Sequence, residues 1–218
     1  MTAPCLFDAD TAAKAVAALR ERDPVLRAGI DRVGPLALTP ERDLFALLVR
    51  VVISQQISMA AAKTVANRLK AATPRGRFTA AALHAMTEEQ IQASGTSWRK
   101  AGYIKNLAAA VRSRDLVIRK LPTLSDEDVT AQIVQVKGLG VWSARMVLMF
   151  GLGRPDVFPT GDLGVRNAAR DLYGIADRAA LDEHAAILWK PWRTAAAWYL
   201  WRHADHKGVT AGLNRYPV

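Results

Sequence analysis

Apolar residues recur at helical spacing along nearly the whole chain, and the alternation of apolar and polar residues that marks a half-buried strand is hard to find. Alanine and leucine occupy many of the apolar positions. We therefore predict an all-α fold. The predicted helices span residues 9–22, 40–72, 87–94, 97–113, 126–136, 141–152, 163–173, 179–188 and 192–204.

Helix start signals accompany several of these segments. They are Thr39 before Pro40, Thr87 with Gln90 in a capping box, and Ser125 with Asp128 in a weaker version of the same box. Within the 40–72 segment, Ser54, Gln55 and Gln56 place polar side chains inside an apolar pattern. We expect that segment to split there.

A glycine pair interrupts the apolar pattern in VKGLGVWSARMV, residues 136–147. Gly138, Leu139 and Gly140 allow a tight turn, with Leu139 filling the core between two helices. Bare N–H groups at the start of the second helix suit a phosphate oxygen, which Lys137 would also face. The segment therefore fits a clamp on a DNA backbone, and it equally fits an ordinary αα-hairpin.

The charge of the chain favours the clamp. The 218 residues carry a formal net charge of +10, which attracts nucleic acid or an anionic membrane surface. Half of the residues are hydrophobic, as is typical of a globular protein, and the length suffices for one or two domains.

Targeting and metal-binding features are sparse. Residues 1–16 have no basic stretch followed by an apolar run, and no apolar run approaches the roughly 18 residues of a membrane span. A lone Cys5 forms neither an internal disulfide nor a four-cysteine zinc or iron–sulfur site, and the histidines show no ligand spacing. We expect a cytoplasmic protein, associated with the nucleoid in a bacterium or nuclear in a eukaryote, without membrane contact or metal.

The segment that follows the hairpin carries a family resemblance. VKGLGVWSARMVLMFGLGRPDVFPTGDLGVR, residues 136–166, is similar to the core signature of the helix-hairpin-helix DNA glycosylases: a hairpin, a Gly/Pro-rich loop and an aspartate. VISQQIS at 52–58 and WKPWRTAAAWYLWR at 189–202 resemble the DNA-3-methyladenine glycosylase II branch. The resemblance covers roughly residues 40–204. The chain has no room for the N-terminal β-domain of the longer bacterial enzymes, so it looks like the compact form.

The resemblance implies two all-α lobes with a central DNA-binding cleft. One lobe would be a helical barrel at 42–155 that contains the helix-hairpin-helix at 126–152. The other would combine 1–41 with 156–218 and carry the catalytic aspartate.

Asp162 stands directly before a predicted helix, which is first of all the position of an N-cap. The resemblance gives it a second role as the catalytic carboxylate. Cleavage of an N-glycosidic bond builds positive charge on the sugar, and a fixed anion beside the sugar stabilises that charge. Asp156 is the nearest competitor and is more typical of a loop-stabilising residue.

The resemblance also bears on the reaction type and on the base pocket. Some members of the superfamily carry a nucleophilic lysine two residues after the second hairpin glycine, where this chain has Trp142. Because an indole forms no Schiff base, we predict a monofunctional enzyme without lyase activity. The resemblance places Trp201 against the flipped base, Trp142 near it, and Met146 where some relatives have an aromatic residue. For the tryptophans, core packing is the alternative.

A wedge must fill the gap that a flipped base leaves. The resemblance places this wedge at 52–58, with Ile53, Gln55 and Gln56 as candidates, while polar groups at a helix joint are the alternative.

These features predict a monomeric, monofunctional glycosylase that excises alkylated purines such as 3-methyladenine from damaged double-stranded DNA in base excision repair, with 7-methylguanine left open as a second substrate. We expect no cofactor, although the resemblance leaves open a monovalent cation on the hairpin carbonyls. Two alternatives stay open: a non-catalytic helix-hairpin-helix DNA-binding protein, and a glycosylase for deaminated or ethenoadenine bases.

Overall fold

The structure is a computed structural model that describes residues 5–206, with side chains up to residue 204. All regular structure within the described residues is helical, which confirms the predicted all-α fold. The helices are α1 (Ala9–Arg22), α2 (Pro24–Val33), α3 (Leu44–Ser54), α4 (Met59–Ala72), α5 (Ala80–Ala85), α6 (Glu88–Gln92), α7 (Trp98–Ser113), α8 (Asp126–Val134), α9 (Val141–Met146), α10 (Leu163–Tyr173), α11 (Arg178–His184) and α12 (Arg193–His206).

Four further helical segments complete the described structure. Pro74–Gly76 and Ile118–Thr123 are 3₁₀ turns, while Val147–Gly151 and Ala185–Trp189 are π-helical continuations of α9 and α11. In the described part of the chain, no helix is long and apolar enough to cross a membrane.

The chain divides into two compact units. Among the described residues, the terminal unit comprises 5–40 and 148–206, and the middle unit comprises 41–147. The middle unit ends at residue 147, within the helical segment that follows the hairpin. The predicted boundary lay later, after residue 155. Phe150 belongs to the terminal unit, where its ring packs against Trp201 with centroids 5.7 Å apart.

The predicted 40–72 helix splits after Ser54, as expected, but its predicted start is wrong. Helix α3 begins at Leu44, and the side chain of Asp43 caps it by accepting from the Ala46 N–H at 3.0 Å. Glu41, before the helix, pairs with Arg50, the one charged side chain on α3.

Two observed helices, α2 and α5, have no counterpart among the predicted ones. Helix α2 follows α1 after a single residue, with Asp23 as its cap and Pro24 at its first position. Helix α5 is a short alanine-rich segment capped by Thr79. In contrast, the predicted capping box of Thr87 and Gln90 is confirmed at the start of α6.

Helix α7 organises the middle unit through two lysines. Lys100 is buried, and its ammonium group donates to the carbonyl of Ile53 at 2.7 Å, in the last turn of α3. Burial lowers the pKa of Lys100 from its ordinary value, and Arg99 adds to this effect. Lys105 donates to the carbonyl of Met86 at 2.6 Å, just after α5. Each ammonium thus satisfies a carbonyl at a helix carboxyl end, where a cation is favoured.

The terminal unit is built around the buried carboxylate of Asp23. This carboxylate accepts from the first amides of α2, from the hydroxyl of Tyr173 at 2.8 Å and from the indole of Trp189 at 2.7 Å. Burial, with the neighbouring Asp23, raises the pKa of Tyr173 far above its usual range. The ring of His184 lies edge-on to both aromatic rings. The cluster joins α2, α10 and the end of α11 in one polar node.

Candidate active site and nucleic-acid interface

Asp162 ends the Gly/Pro-rich loop and caps α10. Its side chain is buried, with 6% of the residue exposed. Its Oδ1 accepts from the backbone N–H of Val165 at 3.0 Å and from the indole N–H of Trp201 at 2.8 Å. The predicted N-cap role is therefore confirmed. Two donors and a helix amino end hold the carboxylate in one orientation, which suits a fixed negative charge.

Gly164 allows the Trp201 indole to lie this close to Asp162. A methyl group at Gly164 would stand 3.1 Å from Cδ1 of Trp201 and 3.2 Å from Oδ1 of Asp162. Trp201 itself is 2% exposed. The family resemblance implies that Trp201 contacts the flipped base, and the structure adds a hydrogen bond from its indole to the carboxylate that no local pattern indicated.

The loop that leads to Asp162 is fastened by the first turn of α12. The guanidinium of Arg193 donates to Asp156 through Nε at 2.6 Å and Nη2 at 3.0 Å. The hydroxyl of Thr194 donates to the carbonyl of Arg154 at 2.7 Å and accepts from the N–H of Val157 at 3.0 Å. Asp156 is thus a loop-stabilising residue, as expected, whereas no sequence pattern pointed to Arg193 and Thr194.

The fold requires glycine at only one of the two hairpin positions. Gly138 has φ +104°, and a methyl group there would stand 2.1 Å from the ring of Tyr103. The fold itself therefore demands glycine at this position. Gly140 has φ −113°, which any residue adopts, and no atom lies within 4 Å of a methyl group placed there. Leu139 between them is buried, as expected.

Two side-chain amides hold the carbonyls of the hairpin. Asn106 on α7 donates to the carbonyl of Lys137 at 3.3 Å, and Gln55 donates to the carbonyl of Gly138 at 3.0 Å. Because C=O and N–H point in opposite directions across a trans peptide, Asn106 directs the Gly138 N–H away from α7. Lys137 is exposed. The amino end of α9 follows at Gly140, which has no side chain to cap it.

The predicted wedge residues occupy three different environments. Ile53 is fully buried within α3, so we reassign it to the core. Gln55 is partly buried and directs its amide to the hairpin. Gln56 is exposed with φ +58°, and Ile57 beside it is 40% exposed. The loop 55–58 therefore presents Gln56 and Ile57 to the solvent.

Contacts join the amino ends of three helices in the middle unit. Gln55 links the loop before α4 to the turn before α9, and Lys100 links the first turn of α7 to the end of α3. Helix amino ends carry partial positive charge, and the chain as a whole has a net charge of +10. This edge of the middle unit, formed by the loop 55–58, the hairpin and the start of α7, suits a polyanion.

The remaining predicted pocket residues lie on α9. Trp142 is partly buried at the second position of this helix, and Met146 is fully buried near its end. Helix α9 contains no lysine. Among the described residues, no group of three or more His, Cys, Asp or Glu side chains is placed to hold a metal ion.

Comparisons with known proteins identify the class. The family model described as HhH-GPD superfamily base excision DNA repair protein matches residues 49–194. The chain belongs to this superfamily, which confirms the predicted helix-hairpin-helix glycosylase fold.

Individual relatives give a finer comparison. The chain is 38% identical over 160 residues to DNA-3-methyladenine glycosylase 1 of Schizosaccharomyces pombe, over 71% of this chain and 70% of the relative. It is 34% identical over 226 residues to a Mycobacterium tuberculosis protein named probable bifunctional transcriptional activator/DNA repair enzyme AlkA, covering 99% of this chain but only 44% of that relative. The solved structure of S. pombe Mag1 with abasic DNA is similar, with a TM-score of 0.80, 33% identity and coverage of 88% and 97% of the two chains.

Proposed function

We propose that this protein is a monofunctional DNA glycosylase that removes alkylated purines from double-stranded DNA, the first step of base excision repair. The observation that carries the proposal is the buried carboxylate of Asp162, fixed by Val165 and Trp201 at the start of α10. The substrate class is supported by the S. pombe relative, which is named for 3-methyladenine.

The proposed reaction is hydrolysis of the N-glycosidic bond. The bond between C1′ and the base nitrogen breaks, and both electrons leave with the base. The Asp162 carboxylate stabilises the oxocarbenium-like sugar by about 4 kcal/mol at a separation of about 4 Å and an effective dielectric near 20. Such an energy corresponds to about three orders of magnitude in rate. Water then adds to C1′ and loses its proton to the carboxylate or to solvent, which leaves an abasic site.

An alkylated purine suits this site because it carries a positive charge. It leaves as a neutral base, so the reaction needs little help from a general acid. The half-buried indole of Trp142 would attract the cationic ring by about 0.5–2 kcal/mol beyond ordinary stacking. Met146 is fully buried, as Ile53 is, so we reassign it to the core. Trp201 is proposed to orient Asp162.

The hairpin is proposed to hold a DNA phosphate. The space beside Gly140 is open, and the α9 amides begin there, so a phosphate oxygen has both room and donors. Lys137 adds an exposed positive charge. The resemblance implies an optional monovalent cation on the hairpin carbonyls, but those of Lys137 and Gly138 already accept hydrogen bonds. No step of the proposed reaction uses such an ion.

Gln56 is our choice for the wedge. Gln56 is exposed on the loop that precedes α4. Its side-chain amide can both donate to and accept from an unpaired base. Ile57 would add apolar contact with the neighbouring bases. The absence of an amine at position 142 supports base removal without strand cleavage, and a single chain suffices for every proposed step.

A base-release assay on methylated duplex DNA tests the proposal. Asp162→Asn keeps a capping side chain but removes the charge, so we expect excision to fall by about three orders of magnitude while DNA binding survives. Asp177→Asn is the matched control, because Asp177 caps α11 in the same way with its side chain exposed. Excision by Asp162→Asn within a few-fold of wild type would overturn the assignment.

The same assay separates the alternatives. Binding without any excision by the wild type would indicate a non-catalytic DNA-binding protein. Preferential release of ethenoadenine or deaminated bases would instead replace the substrate class. The reaction products test the lyase prediction: we expect intact abasic strands that break only on treatment with alkali.

A further inference from the structure

Gln55 forms a hydrogen bond to the hairpin, which is a role different from that of a wedge residue. It is the first residue of the loop 55–58, immediately after α3, and its side-chain N–H donates to the carbonyl of Gly138 at 3.0 Å. Gly138 lies 83 residues further along the chain and belongs to the proposed phosphate clamp. One hydrogen bond thus connects the loop that carries Gln56 to the hairpin.

The neighbouring peptide of the hairpin is held differently. Asn106 binds the carbonyl of Lys137 from the interior of α7, an element separate from the loop 55–58. Asn106 and Gln55 therefore each donate a hydrogen bond to the carbonyl of one of two adjacent hairpin peptides. Only Gln55 brings the loop into that contact.

The end of α3, just before the loop, is anchored as well. Lys100 donates to the carbonyl of Ile53, two residues before Gln55, at 2.7 Å. Between this anchor and the Ser58 cap of α4, the backbone passes through the left-handed conformation of Gln56 at φ +58°. A non-glycine residue in this conformation needs support from its surroundings. The bond from Gln55 to Gly138 supplies support immediately before it.

We propose that Gln55 is a positioning residue that couples the loop 55–58 to the hairpin, so that the side chain entering the base stack and the amides gripping the phosphate keep a fixed separation. This inference rests on the proposed function. Flipping requires the wedge to push against the stack while the backbone stays anchored. If the loop could move away from the hairpin, the wedge would displace the base less effectively, although the Asp162 carboxylate and the phosphate clamp would both remain.

The test compares two substrates with the same lesion. One is a duplex with a single 7-methylguanine opposite cytosine, and the other carries the 7-methylguanine in single-stranded DNA of the same sequence, where no base needs to be extruded. The variants are Gln55→Leu, which removes the donor, and Gln55→Glu, which keeps the size but replaces the donor with an acceptor. Asn106→Leu is the matched control. Single-turnover excision rates at saturating enzyme and dissociation constants are measured for each.

We expect both Gln55 variants to excise from the duplex about tenfold more slowly, the effect of about one lost hydrogen bond, and from the single strand within about threefold of wild type. Asn106→Leu should weaken binding to both substrates and leave the saturated duplex rate within about threefold. Equal slowing on both substrates, or no slowing on the duplex by either Gln55 variant, would overturn the inference. A wild type that releases no alkylated purine from methylated duplex DNA, 7-methylguanine included, would instead count against the proposed function.

Discussion

The indole N–H of Trp201 donates to Oδ1 of Asp162 at 2.8 Å, between the last helix and the start of α10. This carboxylate oxygen also accepts from the Val165 N–H, so one atom is fixed by a helix and by an aromatic ring together. A residue that the sequence points to as a base contact therefore also sets the orientation of the proposed catalytic charge.

Removing that indole donor is expected to slow excision more than it weakens binding. Trp201→Phe keeps an aromatic ring beside Phe150 but loses a hydrogen bond to a charged group, typically about 1.5–3 kcal/mol. We expect the single-turnover rate to fall by about 10- to 100-fold, with a smaller change in the dissociation constant for DNA. Trp198→Phe, on the same helix, is the control. Equal rates for the two variants would contradict the orienting role of the indole.

Gly164→Ala tests the same contact from the other side. Alanine within a helix is normally stabilising by about 1 kcal/mol relative to glycine. Here the added methyl group would press on Trp201 and Asp162 at 3.1 and 3.2 Å, so excision should fall even though the helix gains propensity. Gly161→Ala, where no atom lies within 4 Å of the new methyl group, should retain activity. Base release and thermal unfolding of both variants decide the question.

The hairpin glycines should separate stability from DNA binding. Gly138→Ala forces an alanine to φ +104° and into the Tyr103 ring, so we expect a loss of at least about 1–3 kcal/mol of unfolding free energy. Gly140→Ala should change stability by no more than about 0.5 kcal/mol. It should nevertheless weaken DNA binding by about tenfold or more, because the methyl group occupies the proposed phosphate position. Denaturant unfolding and DNA titration measure the two effects, and unimpaired DNA binding by Gly140→Ala would remove the phosphate from this position.

The polar node of the terminal unit should make stability depend on pH through His184. Burial lowers the pKa of His184 in the folded state, and the nearby Asp23 only partly opposes this. The unfolded chain therefore binds the proton more readily. This contribution to stability is complete above the unfolded pKa of about 6.5 and is lost as the pH falls towards the lower folded value.

His184→Phe keeps the aromatic packing against Tyr173 and Trp189 but cannot titrate. We expect its loss of unfolding free energy below about pH 6.5 to be shallower than that of wild type, by at most about 1.4 kcal/mol per pH unit. Urea unfolding between pH 5 and pH 8 provides the measurement. His84→Phe, at an exposed position, should leave the wild-type slope unchanged, and a wild-type slope in His184→Phe would exclude this histidine as the source.

The features that sequence predicts here are those whose partners lie within a few residues. The capping box of Thr87 and Gln90 and the cap formed by Asp162 are local, so residue type and spacing suffice. Trp201 is 39 residues from Asp162, and Gln55 is 83 residues from Gly138. Such contacts depend on how whole helices pack, which no short pattern encodes.

Two predictions from local sequence signals differ from the structure. Thr39 and Pro40 have the chemistry of a helix start, yet α3 begins at Leu44, where Asp43 supplies the capping side chain. Similarly, Ile53 lies close to the polar residues Ser54, Gln55 and Gln56, but its side chain is fully buried on α3 and belongs to the core.

The two lysines of α7 change what the charge of the chain means for a ligand. The ammonium groups of Lys100 and Lys105 donate hydrogen bonds to carbonyls of the middle unit. Both lysines count toward the net charge of +10, but their ammonium groups are engaged within the protein and do not face a polyanion. A salt titration of DNA affinity counts the phosphates neutralised, with a slope of about −0.9 for each. Its slope should accordingly change when Lys137 is replaced and stay the same when Lys100 or Lys105 is replaced, so the titration reports only the charges that face the ligand.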